Sequence, residues 1–300
     1  MNACECFLDA QGVFPAGTKL LGNQGLESKE EYLAARGLSR SKLPYIEESW
    51  ERFVYEINKP EGRKSDALTI GSFIHELILE PHKLGKYVND KKIVTQIGGG
   101  NPRGTKAYKA WRGEQEIKGK TVLKHGSSAE YLQDGEVILD SVNENKLLKN
   151  VLAASVVELP MTAVVDGIRR KGCADIFFQS EDYDFIMDVK TIDQIITTEA
   201  LEKYVADYEC HVQAAWYQSI SEELHGRPAR FALVFVGKTY PYPVACLELD
   251  DEAIEMGHKE INRYVEMIRQ GKRRKVESHL SKKLRLPDWK INQYGSRGWL

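Results

Sequence analysis

Three hundred residues suffice for one large domain or two modest ones. Hydrophobic residues make up 42% and charged residues 29%, a balance that buries a core and excludes disordered or fibrous classes. A formal net charge of −2 excludes a uniformly cationic molecule, so any contact with nucleic acid has to come from local basic patches.

The predicted elements begin with a short helix opened by Ser28 as N-cap and Glu31 three residues on. A helix is expected over 39–58, with Ser39 as N-cap and Leu43, Ile46, Trp50, Val54 and Ile57 at helical spacing; Pro60-Glu61-Gly62 ends it. A second helix is expected from Ile70 to Glu80, stopped by Pro81, with Phe73, Ile74, Leu77 and Ile78 as its apolar stripe and His75 beside it. Gly98 to Gly104 reads as the clearest flexible stretch, followed by Lys106, Lys109 and Arg112 on a helix. Residues 128–154 read as helical, with Val137, Val142, Leu147, Leu148 and Val151 as core positions.

The texture changes near residue 156. Four β-runs follow: 156–159, 161–168, 173–178 and 185–191. The turn-like Ser180-Glu181-Asp182-Tyr183 joins the last two as a hairpin. A helix over 199–224, strands at 231–236 and 244–249, and a helix over 251–270 complete the pattern. A basic tail occupies 271–300. This order predicts an α/β fold with a central mixed sheet flanked by helices. The expected organisation is an N-terminal extension (1–37), then a domain over 38–270 with a helical part (38–155) and a β-rich core (156–270), then the tail.

The chemistry centres on Asp188-Val189-Lys190. In a strand, side chains alternate between faces, so Asp188 and Lys190 share one face roughly 6–7 Å apart. Asp175 stands on the preceding run, thirteen residues earlier, and Glu158 on the first. Two acids about 5 Å apart repel by roughly 3 kcal/mol at an effective dielectric near 20, and a divalent cation between them reverses that sign. Mg²⁺ takes oxygen ligands and keeps several waters, so one or two carboxylates hold it. Acids that hold such a cation, with a lysine facing a phosphate, point to metal-dependent phosphodiester cleavage. Asp175 and Asp188 are the expected ligands, Lys190 orients water or meets phosphate charge, and Glu158 is a third acid.

Each piece also has a plainer reading. Surface strands carry acid and lysine at i, i+2 without a site. A helix histidine such as His75 is more often a partly buried packing residue than a ligand. Gln213 and Tyr217, at i, i+4, fit any half-buried helix face. The tail from Arg269 to Arg285 carries eight basic residues against one acid, which suits either a duplex anchor or a solvated segment. Arg169-Arg170-Lys171 falls in the expected turn before Asp175.

Five cysteines, Cys4, Cys6, Cys173, Cys210 and Cys246, form no CxxC pair, so a zinc ribbon or iron–sulfur cluster is not expected and free thiols are. No run reaches the ~20 apolar residues of a membrane span. Met1 to Cys6 lacks a basic start followed by an apolar run, so a cytoplasmic protein is expected.

In combination and in order, several motifs resemble the exonuclease VIII (RecE-type) nucleases of phages and prophages, within the PD-(D/E)XK superfamily. They are Leu38 to Leu43 as an early helix start, Gly71 to Pro81 as a histidine helix, and Cys173-Ala174-Asp175 with Met187 to Thr191 as two acidic strands. The last is Tyr208 to Tyr217, a following helix with a QxxxY pattern. The likeness spans about 38–290. Ala174 stands where the superfamily's namesake proline would be.

This resemblance implies a PD-(D/E)XK nuclease-like core and an active-site set of His75, Asp175, Asp188 and Lys190, with Glu158 and Gln213 near it. His75, Asp175 and Asp188 would hold Mg²⁺, or Mn²⁺ in its place. The implied activity is 5′→3′ degradation of one strand of linear double-stranded DNA, leaving 3′ single-stranded tails for recombination. A single-strand annealing protein and a homo-oligomeric ring are the implied partners, with no membrane. An endonuclease of the same superfamily and a non-catalytic DNA-binding or assembly module on the same fold stay open.

Overall fold

The computed structural model describes residues 37–58, 66–193 and 196–270, with the isolated positions 288, 291 and 292. The expected helix at Ser28 and almost all of the basic tail lie outside the described residues.

The elements run in this order: β1 (Leu38–Ser39), α1 (Tyr45–Glu48), α2 (Trp50–Asn58), α3 (Asp66–Leu79), β2 (Tyr87–Asn89), α4 (Lys91–Ile97), α5 (Lys106–Ile117) and β3 (Thr121–Leu123). Then come α6 (Gly135–Glu144), α7 (Lys146–Ala154), β4 (Val156–Val165), β5 (Ile168–Gln179) and β6 (Asp184–Ile192). The chain closes with α8 (Thr198–Asp207), α9 (Cys210–His225), β7 (Ala229–Gly237), β8 (Val244–Glu248) and α10 (Asp251–Gln270).

The central sheet is mixed. β5 pairs antiparallel with β4 along one edge. Its other edge is shared by two strands: β1 runs parallel to it at Arg170 and Lys171, and β6 runs antiparallel to it from Ile176 to Gln179. β6 then pairs parallel with β7 over nine residues, and β7 antiparallel with β8. A parallel pair needs a crossover, which α8 and α9 supply. Helices cover both faces. Ile186, Leu233, Phe235, Trp216 and Val212 pack on the side of α9 and α10. Ile176, Phe178, Met187, Val189 and Val234 pack on the side of α3, α6 and α7. The expected α/β fold with a mixed sheet between helices is the observed one.

Several boundaries differ from expectation, each for a local reason. The helix over 39–58 is instead a strand, a 3₁₀ turn at Arg40–Lys42, and two helices. Ser49 is extended (φ −170°, ψ 159°) and restarts the chain as a cap, its Oγ accepting from Arg52 N at 3.0 Å. The helix over 128–154 breaks at Asn145, whose Oδ1 accepts from Leu148 N and starts α7. The helix over 199–224 is two helices meeting at Glu209, which is left-handed (φ 49°). The first two β-runs are one strand, β4. The stretch Gly98–Gly104 is tied down at its far end: Arg103 is clamped to buried Asp90, and Asn101 caps Gly104. Arg169-Arg170-Lys171 is not a turn but the start of β5; the turn is Asp166-Gly167. Arg170 is buried, 2% exposed, bonded to Asp166 and Ser219 and stacked over Trp216.

Candidate active site

The sheet opens where β5 and β6 separate. Their ladder ends at Ile176 and Met187, so the next residues inward, Asp175 on β5 and Asp188 on β6, flank a fork. The gap on this edge of β5 extends back to Lys171, where β1 begins to pair. Asp175 closes the fork's apex: its Oδ2 accepts from Val189 N at 2.7 Å, a backbone donor that the parting strands would otherwise leave to solvent.

α9 lies along the gap. Trp216 Nε1 donates to Lys171 O and Tyr217 Oη to Cys173 O, both at 3.1 Å. The Tyr217 ring rests so close to Gly172 that a Cβ there would stand 2.9 Å from its Cε1. Glycine is needed for that approach. One turn earlier on the same helix, Gln213 spans the acidic strand: its Nε2 donates to Asp188 Oδ1 (2.7 Å) and its Oε1 accepts from Lys190 Nζ (2.9 Å). Lys190 Nζ stands 2.7 Å from Asp188 Oδ2. The QxxxY spacing thus puts one residue on the charged pair and the other on the backbone of β5.

α3 carries His75 to the other side of the fork. Its Nε2 lies 3.0 Å from Asp175 Oδ2 and its Nδ1 3.1 Å from Glu158 Oε1. Glu158 is in register with Asp175 across the β4–β5 ladder, yet neither makes a ladder pair, because Glu158 is left-handed at φ 52°. A left-handed glutamate inside a strand is strained, and such strain concentrates at functional positions. Among the described residues, ligand atoms of His75, Glu158 and Asp175 lie within 4.8 Å of one another. Asp188 is not in that group of three; its carboxylate is engaged by Lys190 and Gln213.

The electrostatics are those of a cation site. Both nitrogens of His75 face carboxylate oxygens, an arrangement fully satisfied only when each carries a proton. Burial by itself lowers the imidazole pKa, but the hydrogen bond to Asp175 and the charges of Asp175, Glu158 and Asp188 outweigh it and raise it. Burial likewise opposes the Lys190 ammonium, and the charges of Asp188 and Asp175 reverse the balance and hold it above its ordinary value. Burial raises the Asp188 pKa and Lys190 opposes the rise. A divalent cation would take the place of one of the His75 ring protons, leaving one imidazole nitrogen and two carboxylates as a donor set that fits it.

All six residues singled out from the sequence therefore meet at one fork. Sequence reasoning gave no role at the site to Val189, whose N–H fixes Asp175, or to the Cys173 thiol, whose Sγ is 3.6 Å from Glu158 Oε2. The i−2 position of Cys173 on the face of Asp175 was the available signal.

Residues 39–286 match the family described as a PDDEXK-like domain of unknown function (DUF3799). No curated protein matches. Among solved structures, the chain is similar to a protein of Eubacterium rectale whose assignment as an exonuclease is itself provisional. The TM-score is 0.54 at 15% identity, covering 88% of this chain and 96% of that one. At this identity the likeness speaks to the fold alone. An alkaline exonuclease from Laribacter hongkongensis gives a TM-score of 0.26 at 13% identity over 65% of this chain and 94% of its own, and carries no weight. Among the described residues, no helix is long and apolar enough to cross a membrane.

Proposed function

Since the chain belongs to the PDDEXK-like family (DUF3799), we propose that it is a divalent-metal-dependent deoxyribonuclease that digests linear duplex DNA from its ends. The observation that carries this reading is the convergence of His75, Glu158 and Asp175 within 4.8 Å beside the Asp188–Lys190–Gln213 cluster.

His75, Glu158 and Asp175 would hold the metal, with Asp188 at its side. Bound Mg²⁺, or Mn²⁺ in its place, would supply charge neutralisation for the phosphate and lower the pKa of a bound water, so that a hydroxide nucleophile forms more readily. Lys190 stays protonated, so its role is to donate: toward a phosphate oxygen or to orient the attacking water, not to accept a proton. Gln213 fixes the direction of both charges. Asp175, tied to the Val189 N–H, keeps the fork from closing into a regular ladder.

The end dependence, the 5′→3′ polarity and the 3′ single-stranded product rest on the resemblance of the ordered motifs to exonuclease VIII. So do an annealing-protein partner and a homo-oligomeric ring. The test is digestion of 5′- and 3′-end-labelled linear DNA beside covalently closed circles, with Mg²⁺ and then with chelator. Early release of the 5′ label, intact circles and silence under chelator are expected. Cut circles would redirect the proposal to an endonuclease. Binding without cleavage under any metal would replace it with a DNA-binding module.

A further inference from the structure

Between α3 and α6 the chain builds a small separate layer. β2 and β3 pair in parallel, and α4 and α5 form the connection between them. Residues 81–124 hold eleven lysines and arginines against three acids, a net +8 in a chain whose total is −2. Two of the three acids are already spent internally. Asp90 is fully buried and accepts from Arg103, Tyr108 Oη and His125 N, and Glu116 pairs with Arg112. The positive charge is therefore turned outward. Lys91, Lys92, Lys106, Lys109 and Lys118 are exposed and form no ion pair with any described residue.

The layer is joined to the fork. Lys86 Nζ is 2.6 Å from Glu76, the residue after His75, and Tyr87 packs edge-on against Phe73 of α3 at 5.1 Å. Asp90 stitches its interior, linking the end of β2 to Arg103 before α5 and to His125 after β3. It is a firm body held near the site, and not a loose basic run.

We propose that this layer is a docking surface for the phosphate backbone of duplex DNA, placing the duplex so that its end reaches the fork; the proposal rests on the nuclease reading. The occupant follows from the side chains. Sequence-tolerant grip on a single strand needs exposed aromatic rings for base stacking. Here Tyr87 and Tyr108 are buried and Trp111 is half-buried against Tyr108. What remains outside is mainly cationic, with Glu114 and Ile117 of α5 exposed beside the lysines, and cations are the chemistry of backbone contact and counterion release. Lys106 and Lys109, three apart on α5, share one face, and Lys91 and Lys92 open α4.

The test uses the full chain with Lys91→Ala, Lys92→Ala, Lys106→Ala and Lys109→Ala combined, and a fluorescent short duplex followed by anisotropy in chelator across a salt series. Each lost phosphate contact should flatten the log–log salt slope by about 0.9, and affinity at moderate salt should fall at least about tenfold. With Mg²⁺ restored, KM should rise while kcat at saturating DNA and low salt holds. A control variant, Lys203→Ala with Lys259→Ala, should leave the slope alone. A quadruple variant with the wild-type melting temperature, slope and duplex affinity would overturn the proposal, as would a loss seen with a single strand and not with the duplex. Should the wild type bind with the steep slope yet cut nothing, the nuclease reading falls and the docking surface stands.

Discussion

Glu158 and Asp175 stand opposite each other in the β4–β5 register without pairing, Glu158 at φ 52°, and His75 joins them through its two ring nitrogens. The strand gives up one rung of its ladder so that two carboxylates turn toward one imidazole. Backbone strain of this kind is worth about 1–3 kcal/mol. Replacing Glu158 by glycine should relieve it and hold the melting temperature at or above that of the wild type. Mn²⁺ affinity, read by calorimetry, should fall sharply in the same protein. Unchanged metal affinity in Glu158→Gly would remove Glu158 from the ligand set.

Asp188 is buried and Lys190 half-buried, and breaking such a pair from one side costs up to about 3–5 kcal/mol. Asp188→Asn should therefore lower stability as well as nuclease rate, by at least about 100-fold for the rate. Asp188→Asn with Lys190→Met removes both charges. It should recover much of the melting temperature and none of the activity. Urea melts and end-label digestion, run on all three proteins, separate the two effects.

Asp184 ties the start of β6 to α9 and to the segment that follows it. It is fully buried, bonded to Gln179, Ser221, His225 and Arg227. Burial alone would raise its pKa, but these hydrogen bonds outweigh burial and hold it below its ordinary value. A depressed carboxylate stabilises the fold above its unfolded pKa, near 3.9, and that contribution is lost as pH falls through the folded value. Asp184→Asn should cost about 3–5 kcal/mol at pH 7. The gap from wild type in urea titrations should narrow only below about pH 4.

α9 and α10 cross at Gly257, where a Cβ would lie 2.2 Å from His211 O and 3.0 Å from Ala215 Cβ. Gly257→Ala must push α10 outward and should destabilise by about 3 kcal/mol or more. Gly113 lies on α5, and a methyl group added there would meet nothing within 4 Å. Gly113→Ala should stabilise by about 0.4–1 kcal/mol. Thermal melts of the two variants give opposite signs if the crossing is as tight as described.

The acidic strands were legible because strand alternation is a strict period of two: Asp188 and Lys190 had to share a face once 185–191 was a strand. The hairpin at 180–183 was legible from its turn residues. Glu158 was legible as an acid in a strand and not as a left-handed residue, since nothing local in Val157-Glu158-Leu159 announces that conformation. Arg170 was misplaced because three consecutive basic residues suggest solvent; the aromatic face of Trp216 and the carboxylate of Asp166 cover it instead. β1, β2 and β3 span two or three residues, too few for any periodicity to register. Their partners lie 34 to more than 130 residues away, and only the folded chain brings them together.

Arg40 follows β1 immediately, and its guanidinium grips Tyr208 O, Glu209 O and the Glu209 carboxylate, at the left-handed joint from which α9 sets out toward Gln213. Trimming the protein from its front end to begin at Ser41 would spare the acids, the lysine and the histidine of the fork. It would nonetheless cut away the tether that sets where α9 begins, and leave the glutamine's aim to chance.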